Sequence, residues 1–184
     1  MKSRPIIFSG ESVRAILEGR KTQTRRVMKP QPEWVEHLGR RGCWYRNSCP
    51  RPDIKSELMP YAPYRSGDRL WVREAWINLE SEDHYKADIV YKTDDYELPK
   101  CLKWRNPMFM PRWASRLTLK IINVRVERLQ CIFDCDAWSE GYHTIADFVF
   151  EWDKLNAKRG FSWDANPWVW VVEFMRIGTD RGGQ

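Results

Sequence analysis

The sequence predicts an α+β domain: a small β-barrel or a curled sheet, with short flanking helices and two long excursions. Three observations predict it. Several segments have strand character but do not alternate regularly with helices. The helical stretches are short and carry their own caps. Two proline-rich stretches, at about 29–66 and 93–112, interrupt the pattern without offering a core of their own.

The elements follow in order. Residues 11–18 read as a short helix, because Val13, Ile16 and Leu17 share a face, Ser9 or Gly10 can cap the start, and Gly19 supplies the stop. The chain then turns through Lys21 into a strand around Thr24 to Met28. Residues 29–66 hold Pro30, Pro32, Pro50, Pro52, Pro60 and Pro63, together with Arg40, Arg41, Arg46 and Arg51; they predict a long basic excursion separable from the core. Gly67-Asp68 predicts a turn, and Arg69 to Ile77 a strand. Its alternation puts Leu70, Val72, Glu74 and Trp76 on one face and Trp71, Arg73 and Ala75 on the other. Glu74 therefore points where its apolar neighbours point, and a carboxylate there needs a partner.

Residues 78–87 are polar, and Asp88 to Lys92 predicts a short strand. The second excursion, with Pro99, Pro107 and Pro111, ends in the run Met110 to Arg116. That run leads into the longest β pattern, Ser115 to Leu129. A short helix is expected near Asp134 to Glu140. A better one spans Thr144 to Asn156, with Ile145, Phe148, Val149, Trp152 and Leu155 on one stripe. Pro167 to Ile177, almost wholly apolar or aromatic, predicts the last strand.

A chain of 184 residues suits one domain, and 42% hydrophobic content supports a real core. The formal charge of +6 is unevenly placed: residues 1–73 carry +9 and the remainder −3. The basic half favours an anionic partner, with nucleic acid the natural candidate. No apolar run is long enough to span a bilayer, so no membrane partner is expected. The odd count of five cysteines, with neither CxxC nor His-ligand spacing, points to free thiols in a cytoplasmic setting, with no metal and no cofactor.

The chemistry concentrates in Gly19-Arg20-Lys21-Thr22-Gln23-Thr24-Arg25-Arg26 and in Gly67-Asp68-Arg69-Leu70-Trp71-Val72-Arg73-Glu74. A threonine hydroxyl becomes a nucleophile only when a base takes its proton. Lys21 is a candidate base, because burial and the neighbouring arginines would lower its pKa. Glu74 could orient Lys21 or shuttle a proton. Arg25, Arg26, Arg73, Arg112 and Arg116 are candidates for phosphate or base contacts, and Trp71, Trp113 and Trp168 for stacking on an unpaired base. The alternative for Glu74 is a buried salt bridge to Arg26 or Arg73, and for the tryptophans it is core packing.

These residues resemble the ASCH family, a PUA-like β-barrel superfamily linked to RNA metabolism. The resemblance rests on Gly19, Lys21, Thr24 and Arg26 after the first helix, and on a strand ending in the carboxylate Glu74. It is closest to longer phage and prophage ASCH proteins, through Lys21–Arg26, Met110–Arg116 and Asn166-Pro167-Trp168-Val169-Trp170. It implies an ASCH barrel spanning 1–184 and a cleft for a nucleic-acid or modified pyrimidine base. It further implies amidohydrolysis of N4-acetylcytidine with Lys21, Thr24 and Glu74 as catalytic residues. A non-catalytic RNA- or DNA-binding module, and a phage assembly or host-interaction protein using the excursions, are the alternatives.

Overall fold

A computed structural model describes residues 1–32, 58–80 and 87–178. Seven strands and three α-helices are defined among them: β1 Ser3–Ile7, α1 Gly10–Leu17, β2 Gln23–Val27, β3 Arg69–Arg73, β4 Trp76–Glu80, β5 Ala87–Tyr91, β6 Thr118–Arg128, α2 Asp134–Ser139, α3 Ile145–Asn156 and β7 Trp168–Arg176. Five strands make one sheet in the order β1-β3-β6-β7-β2, and β4 and β5 make a separate ribbon.

Among the described residues the sheet does not close into a barrel: β1 and β2 are its two edges. Pro5 lies within β1, where a missing N–H is tolerated only at an edge. The Ile7 carbonyl, which a closing strand would use, accepts instead from Arg26 Nη2 at 2.8 Å. One arginine side chain thus bridges the two edges.

β1 runs parallel to β3, while the β3–β6, β6–β7 and β7–β2 pairs are antiparallel. These directions gather the C-terminal ends of β1, β3 and β7 and the N-terminal ends of β2 and β6 at one end of the sheet. The motif residues flank that end.

Three apolar clusters hold the architecture. The main one draws Ile6, Leu70, Leu119, Val172 and Phe174 from the sheet, and Val13 and Ile16 from α1. The second packs Phe148 and Trp152 of α3 and Ala137 of α2 on Val169 and Val171, the opposite face of β7. The third joins Trp76 and Tyr91 of the ribbon to Met110 and Ala114. Burying such side chains contributes roughly 1.5–3 kcal/mol each.

The helix caps match their sequence signals. The Ser9 hydroxyl accepts from Ser12 N, and Gly19 adopts φ +79° just past α1. Thr144 and Asp147 form a reciprocal capping box at α3.

Four expectations are corrected. The strand expected from Arg69 to Ile77 is two strands, broken at Glu74 and Ala75, where Lys92 N binds the Ala75 carbonyl. β1 was not expected, since five residues containing a proline carry little pattern. Leu155 leaves the expected stripe and is exposed, while Asn156 is buried in its place. The excursion at 29–66 is not wholly separable: Leu58, Met59, Ala62 and Tyr64 pack against the main core. Its residues 33–57, with Arg40, Arg41, Arg46, Arg51, Pro50 and Pro52, lie outside the described residues, as do 81–86.

Candidate functional site

Lys21 sits in a socket built from three elements. It follows α1, whose Ala15 carbonyl accepts from Lys21 N at 3.0 Å. Its side chain is buried, and Nζ donates to the Glu140 carbonyl at 2.6 Å and to Glu140 Oε2 at 2.9 Å. The rings of Phe8 and Tyr142 each lie 5.8 Å from Nζ. Gly141 presses on the stem: a Cβ there would stand 3.3 Å from Lys21 Cβ and 3.0 Å from Ala15 Cβ. With φ +90° as well, this position requires glycine. Burial pushes the Lys21 amine below its ordinary pKa; Glu140 opposes this, and Arg26 and Arg25 add to it.

Glu140 follows α2 as its C-cap, and its side chain is 3% exposed, which leaves Lys21 and Arg25 as its neighbours rather than water. Its other oxygen, Oε1, accepts from Arg25 Nη1 at 3.2 Å. Arg25 also reaches Glu127 at 3.3 Å and Asp136 at 3.2 Å. Arg125 extends the network to Glu127, Asp136 and Glu173. Burial raises the Asp136 pKa, but the Phe133 N–H, the Arg25 and Arg125 charges and Gln23 together hold it below the usual carboxylate range. Burial and the nearby Glu140, Glu151 and Glu11 push the Tyr142 hydroxyl up to about 12.

Thr24 is buried on β2, in register with Val172 of the main core. Directly paired residues share a face, so Thr24 lies on the side of Phe8 and Phe174. Its hydroxyl has no hydrogen-bond partner among the described residues.

Glu74 is 1% exposed and fully engaged. Arg116 Nε donates to Oε1 at 3.0 Å, Arg116 Nη2 to Oε2 at 3.1 Å, and Thr93 Oγ1 to Oε2 at 2.5 Å. Arg116 also binds Asp94 at 2.7 Å and stacks 4.0 Å from the Tyr91 ring centroid. The partner expected from Arg26 or Arg73 is therefore Arg116. Lys21 and Glu74 make no direct bond. Phe8 stands between them, with its ring facing Lys21 and its N–H donating to the Arg73 carbonyl next to Glu74 at 3.2 Å.

The remaining candidates divide. Arg25 is enclosed among three carboxylates, not set on an anion-binding surface, and Arg116 is turned to Glu74 and Asp94. Arg26 lies 5.1 Å over the Phe8 ring. Arg73 and Arg112 lie over the Trp71 ring at 4.5 and 5.9 Å. Trp113 is 64% exposed, edge-on to Trp76 at 6.1 Å, which leaves a face open for stacking. Exposed Phe109 and Met108 flank it.

The residue that sequence reasoning missed is Glu140, 119 positions from Lys21. Its only signal was its place beside Gly141 at the end of a predicted helix. Among the described residues, no group of three or more His, Cys, Asp or Glu is gathered as a metal site, and no helix is long and apolar enough to cross a membrane.

No family model and no curated protein matches this chain. Among solved structures, protein EF3133 from Enterococcus faecalis V583, of the family model DUF984, is similar with a TM-score of 0.47 and 9% identity, over 100% of this chain and 85% of that one.

Proposed function

We propose that the chain binds a nucleic-acid base, or a nucleoside with a modified pyrimidine, at the end of the sheet flanked by Lys21, Thr24 and Glu74. In this reading Lys21 and Thr24 hydrolyse an N4-acyl amide on that base, the activity implied by the resemblance to ASCH amidohydrolases and their PUA-like barrel.

The observation that carries the reading is the Lys21 socket. A structural lysine gains little from enclosure by two rings, a carbonyl and a carboxylate, since burying an ammonium is costly. A base with a lowered pKa needs such an enclosure. Three residues on, Thr24 offers a hydroxyl that the fold leaves uncommitted.

The steps follow from these groups. The neutral Lys21 amine, which makes no hydrogen bond to Thr24 Oγ1 in the free protein, takes the Thr24 proton once bound substrate draws the two together, as Oγ attacks the acyl carbonyl. The resulting ammonium is held by Glu140 and returns its proton to the departing N4 amine. An acyl-threonine ester remains, and water attacks it with Lys21 again as base. Glu140 thereby takes the orienting part first assigned to Glu74. Glu74, tied to Arg116 and Thr93, fixes the end of β3.

One observation favours a base-binding module without chemistry: both Glu74 oxygens are committed, so the Lys-Thr-Glu trio is not assembled as such. The arginines over Trp71 and the exposed Trp113 suit that reading equally well. Intact-mass spectrometry during incubation with a panel of N4-acylated cytidines tests the choice. The hydrolytic reading expects free acid, cytidine and a transient acyl adduct absent from Thr24→Ala. Unchanged substrate throughout the panel would leave the binding module.

A further inference from the structure

The C-terminal end of β2 and the segment 58–64 enclose a cleft of about 440 Å³, within the size range of small-molecule sites. Tyr61, Tyr64 and Trp170 give it flat walls, and Pro30 and Pro63 stiffen its rim. Its charged lining residues are Arg26 and Lys29, and no carboxylate lines it among the described residues.

Arg26 is the unusual member. Arg25, Arg116 and Arg125 each face at least two carboxylates. Arg26 has no ion pair among the described residues. Its one hydrogen bond is to the Ile7 carbonyl, and its Nε is buried without a partner. Burial pushes its pKa down; Tyr64 and Glu140 oppose this, while Arg159 adds to it. A guanidinium with open donors and no counter-charge is matched by an anion that takes two parallel hydrogen bonds, as a phosphate does. Tyr61, 80% exposed at the lip, offers a ring to a second flat group.

We propose that this cleft binds a nucleoside monophosphate, with its phosphate on Arg26 and Lys29 and its base against the tyrosines. This rests on the nucleic-acid reading above and adds a second nucleotide site to it, since Lys21 and Thr24 stand at the N-terminal end of β2 and the cleft at its C-terminal end. The Phe8 ring lies 5.8 Å from Lys21 Nζ and 5.1 Å from the Arg26 guanidinium carbon.

The test is calorimetric titration of the full chain with cytidine 5′-monophosphate, cytidine, inorganic phosphate and a short oligocytidylate. The nucleotide should bind at least tenfold tighter than either cytidine or phosphate. Tighter binding of the oligomer assigns the site to a strand end, and weaker binding to a free nucleotide. Arg26→Gln should bring the nucleotide to the affinity of cytidine. Because Arg26 also joins two sheet edges, Tyr61→Ala and Lys29→Gln, both at exposed positions, serve as controls that keep the fold. Each should weaken the nucleotide severalfold. Equal affinity for nucleotide and cytidine in the wild type, or wild-type affinity in both controls, would overturn the proposal. Nucleotide preference without acyl release would remove the chemistry alone, and acyl release without that preference would remove the cleft proposal alone.

Discussion

At Lys21, the side chain is enclosed by groups from three places in the chain, and each can be tested singly. Glu140→Ala leaves Lys21 and Arg25 buried without their shared carboxylate. Stability should fall by about 3–5 kcal/mol, read from urea midpoints at constant slope. Gly141→Ala meets both a positive φ and a Cβ contact at 3.0 Å. A cost of at least 1–3 kcal/mol from backbone strain alone is expected, roughly, with Lys21 displaced. The acid limb is a test of Asp136. Its folded pKa lies below its unfolded value near 4, so its stabilisation is complete above that value and is lost as pH falls through the folded one. Asp136→Asn should flatten the fall in urea midpoint between about pH 5 and pH 2. An unchanged slope would place the acid sensitivity elsewhere in the network.

At the scale of elements, the caps and long periodic stretches were legible in the sequence. Helix α3, strand β6 and strand β7 fall within a few residues of their expected bounds, because each has a long apolar pattern and a local stop. What was not legible depended on distant partners. The break at Glu74 reflects Arg116 and Thr93, neither adjacent in sequence, and the packing of Leu58 to Tyr64 reflects a core built from other segments. β1 draws its strand character from pairing with β3 rather than from its own five residues. The inward phase of Glu74 was read from alternation and its burial follows, but its partner was not readable. Lys21 and Thr24 are singled out by their motif, whereas Glu140, the partner of Lys21, is invisible to local spacing. For α3, Thr144→Ala removes the capping box and should cost about 0.5–2 kcal/mol in thermal unfolding. Leu155→Ala, at an exposed site on the same helix, should stay within about 0.5 kcal/mol of wild type.

Across the described residues, a five-stranded sheet brings the two motif regions to one end, near Arg73, Arg112 and the exposed Trp113. The formal charge of +6 predicts salt-sensitive nucleic-acid binding. On single strands, log affinity against log salt should fall by about 0.7 for each phosphate neutralised. Trp113→Ala should weaken binding by about 1–3 kcal/mol across sequences, as loss of a stacking platform does. Binding insensitive to salt and to Trp113 would shift the partner from nucleic acid to protein. The central claim is that Lys21 acts as a base on Thr24, and the most direct measurement of it is cytidine formation from N4-acetylcytidine by wild type and Lys21→Arg side by side. Arginine keeps the charge but not the basicity, so the account predicts product from the wild type and a rate at least about 10²-fold lower from the variant. Equal rates from the two proteins would contradict it.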